Sequence, residues 1–301
     1  MKNIKIVLLG VFILSLTSCL KEGRMNIDPS YASNVIELAN TGDNFTSSGI
    51  PGYYADLGSV KAGASKSFNV NVHYTGPGNA PSDITVTLGI DEATLATYNA
   101  KNGTSKVTPP TEAFAFPTQV VIKKGTNQTT VQAVITVSSN FNFGKAYALP
   151  IKITAVSTGV ISGNYASSVY AFGVRNEYDG VYNYKGYALR AGDAVLTGYF
   201  SNKRMNLLTI GANAVQFASY ALWGDGAGGI GIGYPTMTID VAAGSGGVFP
   251  VTFASSGGAY NAPGYNVRYE AASKTFFVAG TWGAGPSARL LVDTLTYMNP
   301  R

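Results

Sequence analysis

The chain has 301 residues, room for two domains at ~150 residues each. It is 46% hydrophobic and only 12% charged, with 36 Gly, 13 Pro, 19 Tyr and 14 Phe, a balance that excludes a disordered chain and favours an all-β fold over a helical one. The formal charge of +5 comes without a basic run, which argues against nucleic acid, and a single Cys and a single His exclude a disulfide framework and a multi-histidine metal centre.

Residues 1–18 combine a positive start, Lys2 and Lys5, with an apolar stretch from Ile6 to Leu16 that is short for a membrane span. The stretch ends in Leu16-Thr17-Ser18-Cys19, which resembles the lipobox of bacterial lipoproteins. That resemblance implies a signal peptide over 1–18, acylation of Cys19 and anchorage in the outer membrane, and it accounts for the position of the lone thiol. Loss of Lys2 and Lys5 with the signal lowers the net charge from +5 to +3. Lys21-Glu22 behind the Cys resembles the surface-export signal of Bacteroidetes-type lipoproteins, which implies exposure on the outer face. Residues 19–30 read as a tether.

Over residues 31–175 the pattern is that of a β-sandwich. Val35–Leu38 is the clear early strand. In Phe68–Tyr74 the apolar side chains 68, 70, 72 and 74 share one face, and Asn69, Asn71 and His73 share the other. His73 has no Cys, Asp or Ser beside it and reads as a solvated strand residue. Further strands are predicted at 84–90, 120–122, 131–137, 149–153 and 169–174. One helix interrupts them at 91–103, with Asp91 as N-cap, Gly103 as C′ residue and Leu95 and Tyr98 on its apolar face. Pro109-Pro110 prevents its continuation.

An ordered set of pieces here carries a family resemblance. It runs Gly89-Ile90-Asp91 into a helix with Tyr98-Asn99, then Phe116-Pro117, a Val-Ile strand ending in Lys124-Gly125, a long alternating strand, and Tyr147-Ala148-Leu149-Pro150-Ile151. This resembles the N-terminal domain of unknown function of Bacteroidetes surface lipoproteins encoded in polysaccharide-utilisation loci. The resemblance implies an immunoglobulin-like fold over about 30–175 and brings no catalytic residues with it.

Residues 176–301 hold 20 of the 36 Gly, 11 of the 19 Tyr and both Trp, with seven acidic and eight basic side chains. Strands are predicted at 181–189, 194–200, 206–210, 214–222, 236–241, 248–253, 265–270, 275–282 and 289–297, with a hairpin at Ala271-Ala272-Ser273. Short strands with Gly turns predict an antiparallel barrel or sandwich. The Tyr178-Asp179-Gly180 start and the last strand resemble the lipocalin-like modules that follow the N-terminal domain. The expected fold class is thus all-β, a sandwich followed by a lipocalin-like barrel or sandwich.

The run from Trp223 to Tyr234 contains Gly224-Asp225-Gly226 and several Gly-x-Gly steps. A phosphate loop needs a preceding strand and a helix N-terminus, or a Gly-Lys-Ser/Thr ending; Pro235 and Thr236-Met237-Thr238 follow instead. The run reads better as a loop carrying Tyr220, Trp223, Asp225 and Tyr234, aromatic faces with polar neighbours suited to stack on sugar rings. Trp282, between Gly280 and Gly283, is a second aromatic candidate, alternatively a buried barrel residue. Acidic side chains are scattered singly, Gly-x-Ser-x-Gly and His-Glu-x-x-His motifs are missing, and Cys19 is spoken for, so a non-catalytic role without cofactor or metal is expected. The resemblances imply a surface glycan receptor acting beside a transporter or hydrolase; a protein-binding adhesin or a lipocalin-like carrier of a small apolar ligand are the alternatives.

Overall fold

The computed structural model describes residues 34–39, 44–45, 49–138, 140–218 and 232–301. The first strands in chain order are β1 Val35–Leu38, β2 Asn44–Phe45, β3 Pro51–Ser59, β4 Ser65–Thr75 and β5 Ile84–Ile90. Helix α1, Glu92–Asn102, follows, then β6 Phe114–Ala115, β7 Gln119–Ile122, β8 Gln128–Thr136, β9 Tyr147–Val156, β10 Val160–Ile161 and β11 Ser167–Arg175. They form a five-stranded sheet in the order β10-β1-β4-β8-β6 and a six-stranded sheet in the order β2-β3-β11-β9-β5-β7. Ile36, Val70, Val72 and Ile135 of the first sheet and Val86, Leu88, Leu149 and Ile151 of the second belong to one buried cluster, which makes the pair a sandwich.

The alternation predicted for β4 holds. Val70 and Val72 are fully buried, while Asn71 accepts from the Thr130 hydroxyl at 2.8 Å across the ladder to β8. Helix α1 has the predicted ends. Gly103 sits at φ 62° as its left-handed cap, and Leu95 and Tyr98 are its buried residues. They pack with Ala148, Val169 and Ala171 on the outer side of the six-stranded sheet. The Asp91 side chain leaves the backbone uncapped and instead accepts from the Thr94 hydroxyl and Lys152. Strand β3 departs from the sequence reading, which found no strand there. In the structure Tyr53, Ala55 and Leu57 face the core and alternate with exposed Tyr54 and Asp56, and the strand is held by a parallel partnership with β11, from Val169↔Gly52 to Gly173↔Asp56.

The remaining strands are β12 Gly180–Arg190, β13 Gly198–Gly211, β14 Ala214–Phe217, β15 Thr236–Ile239, β16 Val248–Ala254, β17 Tyr260–Asn261, β18 Arg268–Glu270, β19 Thr275–Trp282 and β20 Arg289–Asn299. Each pairs antiparallel with its successor, with β17 and β18 sharing one place between β16 and β19, and β20 returns to β12. The result is a closed up-and-down barrel of eight positions, which leaves no free sheet edge. The predicted strands 194–200 and 206–210 are one long β13. Residues 194–197 are instead a turn, where Asp193 accepts from the backbone amides of Val195 and Leu196 at 3.0 Å.

Large rings fill the barrel. Tyr182, Tyr184, Phe217, Phe253 and Phe276 are all fully buried, and Tyr184–Phe217 and Phe217–Phe253 contacts at 6.4 and 6.3 Å cross the interior. A packed interior of this kind is a core, unlike the open apolar cavity that a small-ligand carrier requires.

Polar bonds hold the segment 176–179 that joins sandwich to barrel. Buried Asn176 donates its side-chain amide to Gly211 O and Ala214 O, at the β13–β14 turn. Asp179 accepts from the Thr209 amide at 2.8 Å and hydroxyl at 2.9 Å, and from Arg301 at 3.1 Å. Lys61 and Glu177 pair at 3.3 Å.

Candidate functional site

Residues along a barrel strand alternate between core and outer wall, so the parity of the buried tyrosines fixes the rest. With Tyr182 and Tyr184 inside, Lys185 and Tyr187 of β12 point out. Tyr187 faces Tyr199 of β13 and, on its other side, Val292 of β20 and then Ala279 of β19. The next outward row is Lys185, Thr294, Phe277 and Arg268. Short side chains in the middle and rings at either flank make a shallow trough across the wall. It spans four strand spacings, ~19 Å at ~4.8 Å each.

Three concavities follow one another along this trough. The first, about 420 Å³, is framed by Tyr187 and Tyr199 and reaches Val292 and Thr294. The second, about 190 Å³, shares Val292 and Thr294 and extends to Tyr265, Asn266 and Arg268. The third, about 290 Å³, shares Tyr265 and continues to Arg289 and Leu290. The Tyr187 and Tyr199 rings lie 4.9 Å apart at 51°, and Tyr199 is 87% exposed. Arg268 rests on the Phe277 ring at 4.0 Å and is held there by Glu270 at 2.7 Å. The trough therefore offers exposed aromatic faces, a hydroxyl, an amide and two cations on a rigid wall.

Behind this wall lies Asp293, buried and facing inward opposite Gly186. The Tyr184 hydroxyl is the polar group beside its carboxyl, which has no charged partner among the described residues. Burial pushes its pKa well above the usual carboxylate range, with Tyr184 opposing the shift. Burial likewise raises the Tyr184 hydroxyl, and the Asp293 charge adds to that shift.

The other described carboxylates of the barrel serve structure. Asp179 binds Thr209 and Arg301, Asp193 and Asp240 accept from turn amides, Glu270 holds Arg268 and Glu177 pairs with Lys61. Among the described residues no cluster of three His, Cys, Asp or Glu could hold a metal ion.

The sequence candidates are dispersed. Cys19, Tyr220, Trp223 and Asp225 lie outside the described residues. Tyr234 is 47% exposed just before β15, on the opposite side of the barrel from the trough. Trp282 is corrected as a stacking platform: it faces into the barrel at 2% exposure and belongs to the core. Its indole NH is buried without a partner. The physical reason is parity. Phe276, Val278, Gly280 and Trp282 alternate on the inner face of β19, and Gly280 makes room for Phe253. Tyr187, Tyr199 and Tyr265 were missed by sequence reading. The signal was present in Tyr182-x-Tyr184-x-x-Tyr187, where the third tyrosine changes face.

A family model described as an N-terminal domain matches residues 48–160. Fold similarity extends much further. A Bacteroides ovatus protein of unknown function superimposes with TM-score 0.53 at 12% identity, covering 89% of this chain and 95% of its own. A second B. ovatus protein of unknown function gives TM-score 0.50 at 13% identity, over 87% and 94%. A B. ovatus multidomain protein including DUF1735 gives 0.47 at 13% identity, over 87% and 93%. No curated protein matches the chain. At these identities the likeness is one of fold. The chain shares its fold with the first two of these proteins, and residues 48–160 match the N-terminal-domain family model.

Proposed function

We propose that the chain is a lipid-anchored surface protein that binds a glycan without cleaving it. The observation that carries this reading is the trough on the barrel wall, where the exposed Tyr187–Tyr199 pair and Tyr265 flank small and polar side chains. Sugar rings present an apolar C–H face to such aromatics and hydroxyls to the amides and cations beside them. Among the described residues the trough presents no pair of exposed carboxylates, which supports recognition of the glycan. The lipobox at Leu16–Cys19 supports acylation at Cys19 and display at the outer membrane, with the sandwich as spacer and a transporter or hydrolase as recipient of the glycan.

A glycan array probed with the chain from residue 20 onward tests the reading, beside Tyr199→Ala, Tyr265→Ala and Trp223→Ala. Binding that falls in the Tyr199 or Tyr265 variant supports the trough. Binding that falls only in the Trp223 variant moves the site to the Gly-rich segment, and silence on all glycans points to a protein partner. Radiolabelled palmitate incorporated by the full chain and lost in Cys19→Ser tests the anchor.

A further inference from the structure

A separate concavity of about 250 Å³ lies in the sandwich, beside the loop that follows α1. Three of its lining rings are largely buried, Phe141 at 7%, Tyr147 at 6% and Phe172 at 6%. They are packed on one another, Phe141 to Tyr147 at 4.8 Å and Tyr147 to Phe172 at 6.2 Å. Half-buried Phe143 and Tyr54, 67% exposed, add two further rings, and Tyr54 passes over Gly173, where any Cβ would collide with its hydroxyl. The glycine thus lets a tyrosine lean across the opening.

Two cations, Lys106 and Lys145, share the lining, and no Asp or Glu does. Among the described residues neither lysine makes an ion pair, whereas Lys61, Lys123 and Lys152 each have a carboxylate. The two lysines are also held in fixed relation. Asn99 of α1 donates to Lys106 O at 2.8 Å and accepts from Lys106 N at 3.1 Å. Val107 N donates to Ala146 O at 2.9 Å and Ala148 N to Val107 O at 3.0 Å, lacing the Lys106 segment to the Lys145 segment. Asn142 closes the second loop by accepting from Gly144 N at 2.8 Å and donating its own amide to the Tyr147 hydroxyl at 3.2 Å. The backbone that carries both lysines is thus fixed by folding, and two ammonium groups without a carboxylate beside them favour an anion.

We propose that this concavity binds a carboxylate carried on a ring, with Lys106 and Lys145 taking the carboxylate and the exposed Tyr54 ring taking the apolar face of the ring above a floor of buried aromatic side chains. The volume lies below the ~300–1,000 Å³ of pockets for drug-sized ligands and suits a single ring. An acidic sugar unit such as a uronate and a simple aromatic acid share this chemistry. The site is independent of the barrel trough.

The test is a calorimetric titration of the full chain with trigalacturonate, with benzoate and with neutral methyl galactoside, at low and high salt. The expected result is saturable binding of trigalacturonate that weakens with salt and is absent for methyl galactoside. In Lys106→Ala/Lys145→Ala affinity falls by at least about tenfold. An unchanged melting temperature in that variant shows that the fold persists. Benzoate binding equal to that of trigalacturonate supports the site and identifies the ring carboxylate as the feature read. Trigalacturonate binding alone supports it and adds the sugar hydroxyls. Silence with both acids, or binding that survives the double lysine substitution, overturns the proposal.

Discussion

Asp293 stands directly across the β12–β20 ladder from Gly186, and a Cβ at position 186 would run into its carboxylate and into the carbonyl oxygen of Val292. Glycine at 186 is what lets an acidic side chain fold inward at this point of the barrel. The strand has a register shift between Tyr184 and Gly186 in its pairing with β13, where Phe200 comes to lie opposite Gly186. Gly186→Ala must push either a backbone carbonyl or a buried carboxyl, and overpacking of this sort costs ~1–3 kcal/mol. Chemical denaturation of that variant should show the loss without a change in m-value; an unaltered midpoint would mean that β20 yields freely.

The same aspartate gives the protein a pH signature. Burial holds its carboxyl neutral in the fold, while in the unfolded chain it ionises above ~3.9. The folded state therefore keeps a proton that the unfolded state has lost, and the Asp293 contribution to stability falls as pH rises from about 4 towards the raised folded pKa. One such group contributes a slope of up to ~1.4 kcal/mol per pH unit. Asp293→Asn removes it. The variant should match the parent near pH 4 and exceed it increasingly at pH 6 and 8 in urea unfolding, and parallel pH profiles would contradict a neutral Asp293. Asp56, Asp91 and Asp83 work in the opposite sense. Backbone and side-chain hydrogen bonds lower their carboxyls, so the comparison of variant with parent isolates the Asp293 effect.

Asp179 and Arg301 make the second buried charge arrangement, and here the carboxylate is fully partnered. Thr209 supplies an amide and a hydroxyl, and Arg301 reaches both oxygens, at 3.2 Å from Nε and 3.1 Å from Nη2. The Asp179 side chain is completely buried and that of Arg301 is 39% exposed. Asp179→Ala strips partners from a buried amide and from the arginine, and should cost about 3 kcal/mol. Arg301→Ala leaves Asp179 its two Thr209 bonds and should cost about 1 kcal/mol. Equal losses in thermal unfolding would show that the arginine, not Thr209, holds the aspartate.

How much of this was legible depended on whether a segment carried its own period. β4, β5, α1 and β19 have clean periods and match their predicted places to within a few residues, because one face of each is buried by neighbours on both sides. Strand β3 has the period, with Tyr53, Ala55 and Leu57 inward, but Gly, Pro and Asp around them read as loop and its parallel partner lies more than a hundred residues away. β13 was split because Asn202, at φ 55°, and the bulge opposite β12 interrupt the alternation without interrupting the strand. Composition narrowed the second half to an antiparallel barrel or sandwich, and neither closure nor the trough followed from it. The trough residues come from β12, β13, β19 and β20, and only closure of β20 onto β12 brings Tyr199, Val292 and Tyr265 onto one wall. Trp282 left two readings open, sugar platform or barrel core, and the parity of Phe276 and Val278 decides for the core.

That parity separates two tryptophan and tyrosine substitutions sharply. Trp282 is 2% exposed in the barrel core and Tyr199 is 87% exposed on its wall. Trp282→Ala deletes a large buried ring and should destabilise the chain by ~3–5 kcal/mol, lowering glycan binding only as far as it lowers the folded fraction. Tyr199→Ala removes an exposed ring with one ring neighbour, Tyr187, and should alter stability by less than ~0.5 kcal/mol. If the trough is the receptor, that neutral change should nevertheless reduce glycan affinity about tenfold, the loss of one stacking face. Paired unfolding and binding titrations on the two variants decide the matter. A Tyr199→Ala protein that is stable and binds glycan fully would remove the trough from consideration, and a Trp282→Ala protein that is stable but does not bind would restore the tryptophan as a contact residue.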